Sequence, residues 1–180
     1  KITNGNHMLT MNDLVGSDAV ATWTDPSNPS DIISFSIDKP NKINRLTDVN
    51  KDIFYNVEFG EVEEITYKSV DEKYVQGWIV KPPNFDSNKK YPLVLRIHGG
   101  PHSMYHVGFN YNFQLHAAQD QVVLYTNPRG STGYGYDFAN AIQNAYPGND
   151  YDDIMYGVDE VISRGSVSYT HLTLPTSRSV

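Results

Sequence analysis

The stretch Tyr91-Pro-Leu-Val-Leu-Arg-Ile97 is apolar at nearly every position and runs directly into His98-Gly99-Gly100-Pro101. A strand with apolar side chains on both faces must be covered on both, as in sheets flanked by helices. Glycines weaken a strand, so two of them at its end imply a sharp turn or a close approach to bare backbone. A second apolar run, Gln121-Val-Val-Leu-Tyr-Thr126, ends in a second glycine-rich stretch, Asn127-Pro-Arg-Gly-Ser-Thr-Gly-Tyr-Gly135. Helical stretches are expected over 113–119, over 136–146 up to Pro147-Gly148, and over 152–164. In the last of these, Ile154, Val158, Val161 and Ile162 fall on one helical face. Asp150, Asp152 and Asp153 crowd its start, where solvated carboxylates suit the helix dipole, and Gly165 suits its C-terminal cap. Upstream, Glu63-Glu-Ile-Thr-Tyr-Lys-Ser69 and Gln76-Gly-Trp-Ile-Val-Lys81 read as antiparallel strands, with Asp71-Glu-Lys73 as their turn. This alternation of strand and helix over 60–165 implies an α/β sheet.

Residues 1–59 have a different texture. Val20-Ala-Thr-Trp23 is followed by the turn-rich Asp25-Pro-Ser-Asn-Pro-Ser-Asp31. Ile33, Phe35 and Ile37 then alternate with Ser34 and Ser36, the pattern of a half-buried strand, and Asp38-Lys-Pro-Asn-Lys42 reads as another turn. Short strands at this spacing predict antiparallel sheet of the sandwich or propeller-blade kind.

Composition narrows the function classes. The net charge of −7 leaves no basic stripe for phosphates, so no nucleic-acid partner is expected. No apolar run is long enough to span a membrane. With no cysteine, thiolate catalysis, disulfides and Cys-zinc sites are excluded, while the compartment stays open. No cofactor is implied. His98, His102 and His106 would align for a metal on a helix, but Gly99, Gly100 and Pro101 oppose a helix there, so no metal is expected. The three aspartates lack the glycine and distal glutamate of a calcium loop. Tyr74, Trp78 and Tyr91 read as core or edge packing. The second glycine loop fits neither nucleotide-binding pattern.

His98-Gly99-Gly100-Pro101 has two readings from its residues. One is a tight turn. The other is an oxyanion loop, in which glycine lets a substrate oxygen reach a backbone N–H. Together with Glu64-Ile-Thr-Tyr-Lys-Ser69, Gln76-Gly-Trp-Ile-Val-Lys-Pro-Pro83, the Asn127–Gly135 loop and Gly157-Val-Asp-Glu-Val-Ile-Ser-Arg-Gly165, this segment resembles the prolyl oligopeptidase family of serine peptidases, in particular its acylaminoacyl-peptidase and dipeptidyl-peptidase-like branch. The resemblance implies the N-terminal part of an α/β-hydrolase domain over 60–165, preceded in 1–59 by the last antiparallel strands of a β-propeller. It implies an oxyanion-hole role for the Gly100 N–H, with Gly99 allowing the approach and His98, Pro101 and Arg129 supporting the site. The implied partner of the full-length protein is a short peptide, cleaved through an acyl-enzyme.

The sequence departs from that family in one respect. The nucleophile elbow G-x-S-x-G is expected on the strand after the 152–164 helix, with the triad Asp and His later still. Residues 166–180 instead read as the translation of a transposon mosaic-end sequencing adaptor. Ser131 lacks the first elbow glycine and is not expected to replace the nucleophile, and Tyr105 is given no oxyanion role. The triad is therefore expected to lie beyond this chain, which would be inactive alone. The competing expectations are an esterase-type α/β-hydrolase and a non-catalytic binding or structural remnant.

Overall fold

The computed structural model describes residues 2–173 and divides them into two units. The first comprises the chain up to Glu58 together with His106–Tyr111. Its centre is a four-stranded antiparallel meander of β1 (Met8–Val15), β2 (Asp18–Asp25), β3 (Asn28–Ser36) and β4 (Lys39–Arg45), followed by a single helical turn, α1 (Lys51–Phe54). Pairing of Val15 with Asp18, Asp25 with Asn28 and Ser36 with Lys39 leaves two residues in each hairpin turn. Ala19, Ala21, Ile33 and Phe35 form the buried face, as period-two alternation requires. Ile37 lies in a turn and packs against that face from its margin.

The turns are shorter than the sequence suggests. Asp25 accepts the N–H groups of Ser27 (2.8 Å) and Asn28 (2.7 Å), closing the turn at once, so β3 begins at Asn28. Pro29 falls where the β2–β3 register slips between Trp23 and Asp25, the irregularity at which a residue without an N–H fits. Thr24 holds the excursion His106–Tyr111 to this unit by accepting the Phe109 N–H at 3.1 Å.

The second unit is a five-stranded sheet in the order β5-β6-β8-β7-β9. Its strands are β5 (Val62–Lys68), β6 (Tyr74–Val80), β7 (Tyr91–Arg96), β8 (Val122–Asn127) and β9 (Val167–Thr173). β5, β6 and β8 pair antiparallel, whereas β7 lies parallel to both β8 and β9. Three helices connect them: α2 (Tyr111–Ala117), α3 (Tyr136–Asn140) and α4 (Asn149–Ser163).

The helices cover opposite faces. Ile154, Val158 and Val161 of α4 pack with Ile65, Leu93, Leu95 and Leu124. Phe113 of α2 packs on Tyr125 of β8, whose side chain points to the other face from Leu124 (ring centroids 4.6 Å apart). Thus the two neighbouring parallel strands β7 and β8 send their connections to opposite sides. A crevice opens beyond the carboxyl ends of strands at such a switch point.

Three expected boundaries differ. α2 runs Tyr111–Ala117 rather than 113–119, because Asp120 takes a positive φ of 58° and turns the chain into β8. α3 stops at Asn140, well short of Tyr146. α4 starts at Asn149, where Asp150 accepts the Gly148 N–H at 2.7 Å and holds the turn leading in. β9 lies within the segment expected to be adaptor-derived; residues 174–180 of that segment lie outside the described residues.

Candidate active site

Both glycine motifs emerge at the switch point, one from the end of β7 and the other from the end of β8. Side-chain and backbone hydrogen bonds lace the two loops together. His98 Nε2 lies 2.9 Å from Ser131 Oγ, and His102 Nδ1 lies 3.1 Å from the Gly130 carbonyl. The Thr132 N–H donates to Ser103 O at 2.9 Å. Asn127, fully buried at the end of β8, accepts the Tyr105 N–H (2.7 Å) and donates to Tyr105 O (3.0 Å) and to the Tyr134 hydroxyl (2.7 Å). One amide side chain therefore uses both its acceptor and its donors to fix one loop against the other.

Gly99 and Gly100 are exposed. Gly100 has φ +134°, a conformation strained for any residue with a Cβ. Among the described residues, the Gly100 N–H donates to no group, so a backbone donor stands free at the end of a buried strand. The two glycines and Pro101 line a cleft of about 620 Å³ between the loops and α4, bounded also by Pro128, Tyr146 and Ile154. His98 stands at its edge. Burial lowers the pKa of its imidazole, partly offset by the contact of Nδ1 with Gly99 O, and its ring meets Tyr105 edge-on at 5.2 Å.

Arg129 is buried beneath the second loop. Its Nε and its own backbone N–H donate to Asp153 Oδ2 at 2.9 and 2.8 Å, and Nη2 donates to Oδ1 at 2.8 Å. Nη1 reaches Asp71 Oδ2 at 3.1 Å. The bonds to Asp153 raise the guanidinium pKa further above its ordinary value. Asp153 is thus not the solvated, dipole-favoured carboxylate expected from its place at a helix start: it is fully buried, and Asp150 nearly so. Residue order hides this, because the pairing arginine lies 24 positions upstream.

Several residues that the sequence sets at suggestive spacing lie apart from one another in space. His98, His102 and His106 each turn to a different partner, His106 accepting the Gly108 N–H at 3.1 Å. No metal-binding group of His, Asp and Glu occurs among the described residues. Trp78 and Tyr91 are core residues, whereas Tyr74 is exposed. Ser131 is 1% exposed, and the histidine it meets turns its other nitrogen to a carbonyl rather than a carboxylate, so nothing there completes a triad. Asn127, Ser131, Tyr134 and Asp153 are the parts of the site that sequence reasoning did not assign.

Comparison with known proteins gives a consistent set of likenesses. Residues 107–174 match the prolyl oligopeptidase family model. The chain is 41% identical over 145 residues to the uncharacterized peptidase YuxL of Bacillus subtilis, covering 81% of this chain and 22% of that protein. It is 39% identical over 104 residues to dipeptidyl-peptidase 5 of Aspergillus fumigatus, covering 53% of this chain and 14% of that one. Its fold matches the acylaminoacyl peptidase of Pyrococcus horikoshii with a TM-score of 0.85 at 27% identity, over 97% of this chain and 28% of that structure. The chain therefore spans roughly a quarter or less of the length of these proteins.

Proposed function

We propose that this chain, which belongs to the prolyl oligopeptidase family, is a fragment of a serine peptidase that cleaves short peptides through an acyl-enzyme. The observation that carries this reading is the Gly100 N–H, without a partner among the described residues and presented from a positive-φ glycine at the switch point of the sheet. A donor that needs no reorganisation, placed where charge develops on a carbonyl oxygen, stabilises a tetrahedral intermediate. In this reading Gly100 supplies one oxyanion donor, Gly99 leaves room for the substrate, and His98, Pro101 and Arg129 hold the loops. Serine attack, proton transfer by histidine and orientation by aspartate would come from residues outside this chain.

The four-stranded meander of the first unit is the size of one propeller blade, and we read it as the end of such a domain. In this reading residues 166–180 are adaptor-derived and take no part in the function. The 180-residue chain alone is expected to be inactive.

Three experiments test this. Source DNA is amplified across codon 165 and read onward without transposon adaptors. A frame continuing into G-x-S-x-G with Asp and His downstream supports the reading; a native stop after this tail overturns it. The continued form is then assayed on short peptides and on simple esters, where ester turnover without peptide turnover overturns the peptidase assignment. A fluorophosphonate probe should leave the 180-residue chain unlabelled, and labelling would overturn its inactivity.

A further inference from the structure

The Gly99 carbonyl oxygen can only accept a hydrogen bond, so the His98 Nδ1 that lies 3.2 Å from it carries the proton. In a neutral ring, Nε2 then holds the lone pair, and the Ser131 hydroxyl, 2.9 Å away, donates into it. Imidazole side chains in water favour the opposite tautomer, with the proton on Nε2. That tautomer would set the Nδ1 lone pair against the Gly99 oxygen. The Gly99 carbonyl therefore selects the tautomer, while the Ser131 hydroxyl, which can donate or accept, fits it and fixes the orientation of the ring. Ser131 is well held for this part: it is buried, and its own N–H donates to Pro128 O at 3.0 Å.

The peptide joining Gly99 to Gly100 is not among the cis bonds, so its C=O and N–H point in opposite directions within one rigid plane. A hydrogen bond that fixes the carbonyl of Gly99 also aims the N–H of Gly100. His98 pulls the carbonyl toward its ring, and the amide is left facing away from it, free of any partner among the described residues. We propose that Ser131 is a positioning residue for the oxyanion donor: acting through the His98 ring, it holds the Gly99–Gly100 peptide plane so that the Gly100 N–H stays available to an anionic oxygen. The functional part of this inference rests on the oxyanion role proposed for Gly100. Its physical part does not.

The test is nuclear magnetic resonance on the 180-residue chain at neutral pH. Long-range proton–nitrogen correlations should show His98 protonated on Nδ1 and bare on Nε2. Ser131→Ala, which frees the ring to turn away from the Gly99 carbonyl, should weaken that preference and shift the Gly100 amide resonance, while Ser131→Thr, which keeps the hydroxyl, should retain both. A wild-type ring protonated on Nε2, or a Gly100 amide unmoved in a folded Ser131→Ala variant, would overturn the proposal. If Ser131→Ala fails to fold, the wild-type tautomer still decides. Peptide turnover does not enter these readouts, so their failure is distinct from failure of the peptidase reading.

Discussion

Asp31 in the first unit and Asp153 in the second are both closed to solvent and both meet an arginine, yet they differ in how the pair is finished. Asp31 divides its acceptors among the Thr47 hydroxyl (2.6 Å), the Val49 N–H (3.2 Å) and Arg45, whose side chain remains 39% exposed. Asp153 spends both oxygens on Arg129 alone, including its backbone N–H, and that side chain is only 6% exposed. The first arrangement ties the chain after β4 back to β3 and leaves the cation hydrated. The second locks a loop of the candidate site to α4 and buries both charges. The difference matters when one partner is removed: a hydrated cation left behind is nearly harmless, whereas a buried one is costly.

The largest expected effect follows from that contrast. Asp153→Ala should lower stability by about 3–5 kcal/mol, because Arg129 is left buried with only the exposed Asp71 carboxylate and the Val70 carbonyl to meet its charge. Urea unfolding measures it, and a loss no larger than that of Asp31→Asn would erase the distinction. Next comes Gly157→Ala on α4. An added Cβ would sit 2.6 Å from the Tyr67 hydroxyl, which itself donates to the Asp153 carbonyl at 2.7 Å. Overpacking of this kind costs about 1–3 kcal/mol. Pairing the change with Tyr67→Phe should recover part of the loss if the hydroxyl is the obstacle, and thermal melts of the two variants would show it.

Asp31→Asn should cost less, on the order of 1 kcal/mol, since the amide keeps one acceptor and Arg45 stays in water. Its pH dependence sharpens the comparison. Burial works to raise the Asp31 carboxyl, but hydrogen bonds from Thr47, Arg45 and Val49 outweigh it and leave the pKa below the ordinary 3.8. The stability this supplies is present above that value and is lost as pH falls through the lower, folded pKa. Asp31→Asn should flatten that acid limb of the unfolding curve; an unchanged limb would assign it to other carboxyls.

The smallest effect belongs to His98. Burial holds its pKa below the ordinary 6.5, so the unfolded chain takes up its proton first as the solution is acidified. Stability should therefore fall as pH drops from 6.5 toward the folded pKa and be constant above it. The Ser131 hydroxyl and the phenol of Tyr105, whose ring lies edge-on to His98, do not titrate in that window. Unfolding followed across it in wild type and His98→Asn measures the contribution, and a slope that survives the substitution would place the titrating group elsewhere.

The core of the second unit was legible because its signals are local and repeated. The unbroken apolar run Leu93-Val94-Leu95 marks β7 as covered on both faces, and Ile154, Val158 and Val161 recur at helical spacing on α4, so each pattern declares what it buries. The glycine motif was legible for the same reason: His98 to Pro101 is contiguous and follows a strand. Residues 136–146 misled because nothing local marks where α3 ends. Its stop coincides with the loop returning to support the site, where the Gly130 N–H donates to Phe138 O at 3.0 Å. The excursion of His106–Tyr111 into the first unit has no periodic signature at all.

By itself, the sequence determined which segments become doubly covered strands, which helix carries an apolar stripe, and that a strand would end in bare backbone. Each of those follows from the spacing of neighbouring residues, which sets side-chain direction before any distant contact forms. Only the tertiary structure decided that Asp153 would be buried against Arg129, that Ser131 would meet His98 across 33 positions, and that the Gly100 N–H would be left without a partner among the described residues. Hydrogen bonds and ion pairs depend on distances of about 3 Å between groups far apart in the chain, and such distances exist only after the sheet has brought the ends of β7 and β8 side by side.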